Sequence, residues 1–336
     1  MKKHKTYVVV FVVACAVLAA IAAVAAKPGQ GRQQQQQLSA AAAPSSDEKP
    51  DGSKLVRPTA AVRERRAEAA PATPAPAALF AEAAERNNSL KYELDWAFGG
   101  KRQHGWYLYV PLISRLIETD AAAVPQDFAA SLARWQKSEG LRASGVLDDE
   151  TLYRMVSTWQ GSRLKEKSPA EAHQLLLAPA SDFYDPTRAE ELRQVERETY
   201  AAYKRMVAAA VADPSLGLSA TANGELAPSE KYLKIISSFR SRAYQERLRK
   251  ASPHSGRAGL AVHSPHFTGR ALDIYVGGEP VETKDSNRAI QVQTRAYKWL
   301  VKNAERFGFR PYYYEPWHWE YVGGVNADHA KVTARH

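Results

Sequence analysis

Residues 27–78 set the first limit on what this chain can fold into. The stretch "KPGQGRQQQQQLSAAAAPSSDEKPDGSKLVRPTAAVRERRAEAAPATPAPAA" combines a glutamine tract with alanine and proline clusters and very few large apolar side chains. Such a segment cannot bury enough surface to offset the entropy lost on ordering, so it reads as a flexible tether. The folded part of the 336-residue chain is thereby confined to roughly 250 residues.

Ahead of the tether, Met1-Lys2-Lys3-His4-Lys5 precedes an apolar run from Tyr7 to Ala26, long enough at about 1.5 Å per residue to cross a bilayer. Residues 1–26 have the pattern of a signal peptide or a signal anchor. Ala23 and Ala25 offer a small-residue cleavage site, whereas the length of the run suits an uncleaved anchor. With lysines on the N-terminal side, either outcome sends the rest of the chain out of the cytoplasm. The expected location is the periplasm or extracytoplasmic cell envelope, soluble or anchored to the inner membrane, with membrane contact only through this segment.

The single cysteine, Cys15, lies inside the apolar run, so the exported part has neither a disulfide nor a thiolate metal ligand. The stretch "VVAC" resembles a lipoprotein box, but apolar residues continue past the cysteine, where a lipid-modified residue normally opens a polar tether. The formal net charge of +10 belongs partly to the N-terminal region. On an exported protein with dispersed basic residues, that charge suits a polyanionic cell envelope and points away from nucleic acid.

Order returns near Leu79. In residues 79–165, Phe128, Leu132 and Trp135 fall at helical spacing before a stop near Gly140, and Asp148 can cap a second helix carrying Leu152 and Met155. Trp135-Gln136, Gly140-Leu141, Gly145-Val146-Leu147 and Thr151-Leu152 resemble the second half of a peptidoglycan-binding module. A helical hairpin without a ligand reads the same way. Residues 166–212 read as a helical linker, because "RAEELRQVERETYAAYKRMVAAAVAD" alternates charged and apolar residues like a long exposed helix. The turn-rich stretch "DPSLGLSATANGELAPSEKY" then marks a boundary, and residues 213–336 form the last domain.

Three segments of that domain concentrate chemistry: "LKIISSFRSRAYQERL", "VHSPHFTGRALDIYVGG" and "FRPYYYEPWHWEYVGG". Asp273 lies among strand-type apolar residues in "ALDIYV", and a carboxylate buried there needs a partner cation or a metal. His318 lies in the similarly apolar "PWHWEY". Imidazole and carboxylate are ordinary zinc ligands, and a catalytic zinc takes three protein ligands. His266 and Asp273 can supply two across a turn at Gly269, with His318 as the third. Glu315, three residues before His318, is then placed as general base, and Arg240 as the fixed positive charge that steadies an oxyanion.

Ser264-Pro265-His266-Phe267-Thr268-Gly269-Arg270-Ala271-Leu272-Asp273 fits a Ser-x-His-x-x-Gly-x-Ala-x-Asp pattern. With Glu315-Pro316-Trp317-His318-Trp319 and Phe239-Arg240-Ser241 followed by Tyr244-Gln245, it resembles the VanY type of zinc D-alanyl-D-alanine carboxypeptidase. That type belongs with the LAS-type metallopeptidases, a superfamily that also holds D-Ala-D-Ala dipeptidases and the N-terminal fold of sonic hedgehog. The resemblance runs from Leu233 to Gly324; Phe239 replaces the commoner tyrosine.

It implies that His266, Asp273 and His318 bind Zn2+, that Glu315 is the general base and that Arg240 stabilises the transition state. It also implies that Ser264 and Gln245 contact substrate. His263 has no place in the motif and reads as a loop residue, as does His254. Tyr312 to Tyr314 read as packing and cleft wall, and residues 288–307 as one helix with Tyr297, Leu300, Val301, Ala304 and Phe307 on its buried face.

The expected fold is α+β, a small antiparallel sheet with helices on one side, preceded by a small mostly helical domain. The expected activity is hydrolysis of peptidoglycan stem peptides, most simply removal of the terminal D-alanine. An L,D-carboxypeptidase or a peptidoglycan endopeptidase would use the same site, and a non-catalytic wall-binding protein with a structural zinc is the reading from another class.

Overall fold

Apolar spacing, a leading proline and one side-chain cap shape the first helices. The computed structural model describes residues 80–251 and 263–323. The readings made on residues 1–79 and on His254 lie outside the described residues. Helix α1 (Ala81–Glu93) leads to a hairpin of β1 (Asp95–Phe98) and β2 (Lys101–His104), and a short α2 (Val110–Leu116) follows. Helix α3 (Pro125–Ser138) begins with proline at its first turn, where the missing N–H costs nothing. Helix α4 (Asp149–Gly161) begins as its sequence predicts, with the Asp148 side chain accepting from Thr151 N at 2.9 Å.

Gln136 explains much of the α3–α4 motif in packing terms. Its side chain is buried and donates to Val146 O at 2.9 Å and Thr151 Oγ1 at 3.0 Å, while its Oε1 accepts from Gly145 N at 2.9 Å. Asn87 of α1 clamps the same loop, donating to Gly145 O and accepting from Leu147 N, both at 2.8 Å.

Between 166 and 212 only α5 (Arg197–Val211) is α-helical. The long exposed helix expected over this region is instead two short strands, β3 (Leu175–Leu177) and β4 (Gln194–Glu196), several 3-10 turns and then α5. Glu196 caps α5 through Glu198 N and Thr199 N. Ala202, Tyr203, Met206, Val207 and Ala210 give that helix a stripe that faces the core. Charge alternation in the sequence concealed this stripe.

The C-terminal sheet is antiparallel in the order β5-β6-β8-β7: β5 (Ile235–Ser237), β6 (Ala271–Ile274), β8 (Glu315–Tyr321) and β7 (Phe309–Tyr312). Helix α6 (Arg242–Ala251) follows β5. The single helix expected over 288–307 is two, α7 (Asp285–Gln293) and α8 (Arg295–Asn303), with a 3-10 turn at Ala304–Phe307. The break falls at Thr294, where an extended backbone frees the hydroxyl to cap Tyr297 N at 3.1 Å and to donate to Val276 O at 2.7 Å. Together these elements make an α+β architecture, with the four-stranded sheet and its helices in the C-terminal part.

The main apolar cluster runs from Trp96 and Tyr109 through Leu152 and Met206 to Trp319 and Tyr321, and a small second one of Ala83, Ala129 and Val146 packs α1 on α3. Tyr313 is a joint in that cluster, 6.4 Å from the Trp96 ring, 5.9 Å from Phe98 and 5.8 Å from Tyr109. Among the described residues no helix is long and apolar enough to cross a membrane.

Candidate metal centre

Strand register brings the first two groups together. Asp273 on β6 stands directly opposite His318 on β8, and such cross-strand partners sit about 4.5–5.5 Å apart at Cβ. His266 arrives from the 3-10 turn Pro265–Thr268, which Ser264 caps through His266 N at 3.3 Å. The turn ends at Gly269, whose φ of +67° lets the chain reverse into β6. A Cβ there would meet Glu196 N and Leu175 Cδ2, each at 2.9 Å, so the reversal is also packed tightly against β3 and β4.

The hydrogen bonds decide which imidazole nitrogens are left for an ion. His266 Nδ1 lies 2.7 Å from Ser238 O and donates to it, leaving Nε2, which is 3.2 Å from Asp273 Oδ1. His318 is turned the other way: Nε2 lies 3.1 Å from Glu320 Oε1, and Nδ1 is 3.0 Å from Asp273 Oδ1. His266, Asp273 and His318 are all buried, and each offers a ligand atom within 4.8 Å of the others. Two imidazole nitrogens and a carboxylate oxygen at these separations fit a divalent ion with bonds of about 2.0–2.2 Å. A second observation points the same way: Glu315 Oε1 is buried without a hydrogen-bond partner among the described residues.

Charges around the cluster are strongly biased. Burial, helped by the Arg240 charge, lowers His266 to about 4, so its ring is neutral and ready to ligate. Burial alone would raise Asp273, but His266 and Arg240 hold it well below the usual carboxylate range. His318 is pushed the opposite way: although burial disfavours its charge, hydrogen bonds to Asp273 and Glu320 raise it to about 9. Burial raises Glu315 to about 7, with the Asp273 charge adding to it and His318 and Arg240 opposing.

Glu315 and His318 are an odd number of residues apart, which on a regular strand would face them apart. The β7–β8 pairing shifts between Pro311 and Tyr312, so Arg310 and Pro311 pair with Glu320 and Trp319 while Tyr312 pairs with Glu315. A bulge of this kind re-aims side chains, and it accounts for Glu315 sharing an electrostatic environment with His318 and Asp273.

Arg240 follows β5 and is buried, with Nη2 on Asp273 Oδ2 at 2.6 Å and Nε donating to Ser237 Oγ at 2.9 Å. It occupies the carboxylate oxygen that faces away from the histidines. Ser264 and Gln245 are both buried, Gln245 on α6. His263 is exposed and outside the cluster. Of the tyrosine run, Tyr313 is core, Tyr312 stands edge-on to His318 at 6.0 Å, and Tyr314 lies between Lys101 and Arg288 at 4.0 and 4.3 Å.

Two participants escaped the motif reading. Glu320 is fully buried behind His318, and Arg163, from just past α4, pairs with it. Burial would raise Glu320, but the hydrogen bond and charge of His318 and the charge of Arg163 hold it at about 2. The signal for Glu320 was present, since residues two apart on a strand share a face. Arg163 carried none.

No curated protein matches the chain significantly. Residues 192–324 match the family model described as VanY, D-alanyl-D-alanine carboxypeptidase, a stretch that spans the three clustered residues, Glu315 and Arg240. Over those residues the chain is similar to the VanY family of D-alanyl-D-alanine carboxypeptidases, which are metallopeptidases.

Proposed function

We propose that this chain is an exported zinc peptidase that trims peptidoglycan stem peptides by removing the terminal D-alanine. The observation that carries the reading is the buried His266–Asp273–His318 group, with an orphaned carboxylate, Glu315, on the same strand as His318. The family match supports the substrate class, and the apolar run ending at Ala26 supports export. His266 Nε2, His318 Nδ1 and Asp273 Oδ1 would hold the ion, with no thiolate available outside residue 15. When bound, zinc supplies Lewis acidity at neutral pH.

The rest of the chemistry belongs to the chain. Glu315, with a pKa set near neutrality by burial, takes a proton from the attacking water and delivers it to the leaving amine. Arg240 keeps Asp273 ionised and oriented, and its charge favours the oxyanion that forms at the scissile carbonyl. Ser264 and Gln245, buried at the turn and on α6, shape the substrate side.

The test is incubation of the purified protein with defined muropeptides, with and without chelator, reading products by mass. Loss of one alanine mass that vanishes with chelator and returns with zinc is expected. Release of a dipeptide, or opening of a crosslink, would move the assignment to another bond, and no product in any condition would overturn it.

A further inference from the structure

Arg163 and Leu164 precede the matched residues 192–324, yet they close the polar shell behind His318. The Glu320 side chain has no exposed surface, and a buried carboxylate needs both countercharge and hydrogen bonds. Its Oε1 receives the Arg163 Nη2 donor and His318 Nε2 at 3.1 Å; its Oε2 receives Leu164 N at 2.9 Å.

The guanidinium is itself held on two sides. Nη1 donates to Gln160 Oε1 at 2.9 Å, and the group lies 4.0 Å over the Tyr312 ring, the same ring that stands edge-on to His318. A few residues on, Ala170 N donates to Phe267 O at 2.8 Å, within the turn that bears His266. The segment from Arg163 to Ala170 thus touches the supports of both histidines.

We propose that this upstream segment is a working part of the metal centre, with Arg163 a positioning residue that acts through Glu320 to fix the ring orientation and tautomer of His318. A carboxylate behind a ligating histidine sets which nitrogen faces the ion, and losing such a partner typically weakens metal binding about 10–100-fold. Arg163 supplies the countercharge and a donor that hold the Glu320 carboxylate in place at zero exposure. Replacing it removes a donor and the countercharge from a carboxylate with no exposed surface, so Glu320 shifts or draws in water and the His318 ring loses its anchor.

The inference rests on His266, Asp273 and His318 being the ligands. The test therefore measures the full chain, Arg163→Met, Arg163→Lys and Glu320→Gln for zinc affinity by chelator competition and for the visible spectrum of the cobalt(II)-loaded protein. Arg163→Met and Glu320→Gln are expected to weaken zinc binding by about 10–100-fold and to alter the cobalt bands, and Arg163→Lys to recover most of the affinity. If Arg163→Met does not fold, Glu320→Gln and Arg163→Lys decide the question. A wild-type chain that binds zinc, with Glu320→Gln within twofold of it and an unchanged cobalt spectrum, overturns the inference alone. A wild-type chain that binds no zinc overturns the reading of the site as well.

Discussion

Glu315 and His318 both leave water in their less favoured protonation balance, and the direction of each shift makes a prediction. Glu315 is raised to about 7 and His318 to about 9, so both bind protons more tightly in the folded, metal-free chain than in the unfolded one. The stability they contribute is full below their unfolded values and is lost as pH rises through about 7 and then about 9. Metal-free protein should therefore melt at a lower temperature at pH 9 than at pH 6, and Glu315→Gln should remove about 1 kcal/mol of that loss. An ion must also displace the His318 proton. Zinc affinity should rise about tenfold per pH unit between pH 7 and 9, with close to one proton released per ion, readable by calorimetry in buffers of different ionisation heat. In the loaded enzyme Glu315→Gln should keep the metal and lose about 10²–10⁴ in kcat, measured by alanine release.

The buried His266–Asp273–His318 cluster and Glu315 were legible because each is a polar residue in an apolar strand or at a glycine turn, and because their order along the chain forms a pattern. Arg163 was not legible, since it meets Glu320 across 157 residues and nothing local marks it. The inward turn of Glu315 was equally hidden, because it depends on a bulge that only the β7–β8 register reveals.

Among the elements near the cluster, the turn at Gly269 is sensitive to a single change. Its positive φ and the 2.9 Å approach of Glu196 N leave no room for a side chain. Gly269→Ala should destabilise the protein by more than about 1 kcal/mol, seen as a lower urea midpoint, and should weaken zinc binding by moving His266 relative to Asp273. The helices show why element boundaries were read less well than element faces. The apolar positions of α8 were in the sequence, but the break at Thr294 was set by a hydroxyl reaching Val276 O, a contact that sequence spacing does not carry. The α3–α4 hairpin shows the same limit from the other side. The Gln136 and Asn87 clamps account for much of its motif in packing terms, and Gln136→Ala should cost about 1–3 kcal/mol by stranding the buried Gly145 N–H, measurable by chemical denaturation.

At the scale of the whole molecule, the apolar cluster that joins Trp96 and Tyr109 to Tyr313 and Tyr321 makes the described residues a single cooperative body. A chain cut to begin at 192 would expose the Tyr313 face and lose Arg163, and it should show no cooperative melt and no measurable zinc binding. Thermal melts of the full chain should be single transitions, shifted upward by saturating zinc. The Arg163–Glu320 pair also bears on how such a protein can be recombined. If Arg163 steadies the site as proposed, residues 192–324 joined to a foreign partner would not be self-sufficient, because the crossover point would fall between the buried His266–Asp273–His318 cluster and that arginine. The joint would have to lie ahead of Trp96, so that the arginine and the aromatic contacts of Tyr313 travel together with the cluster.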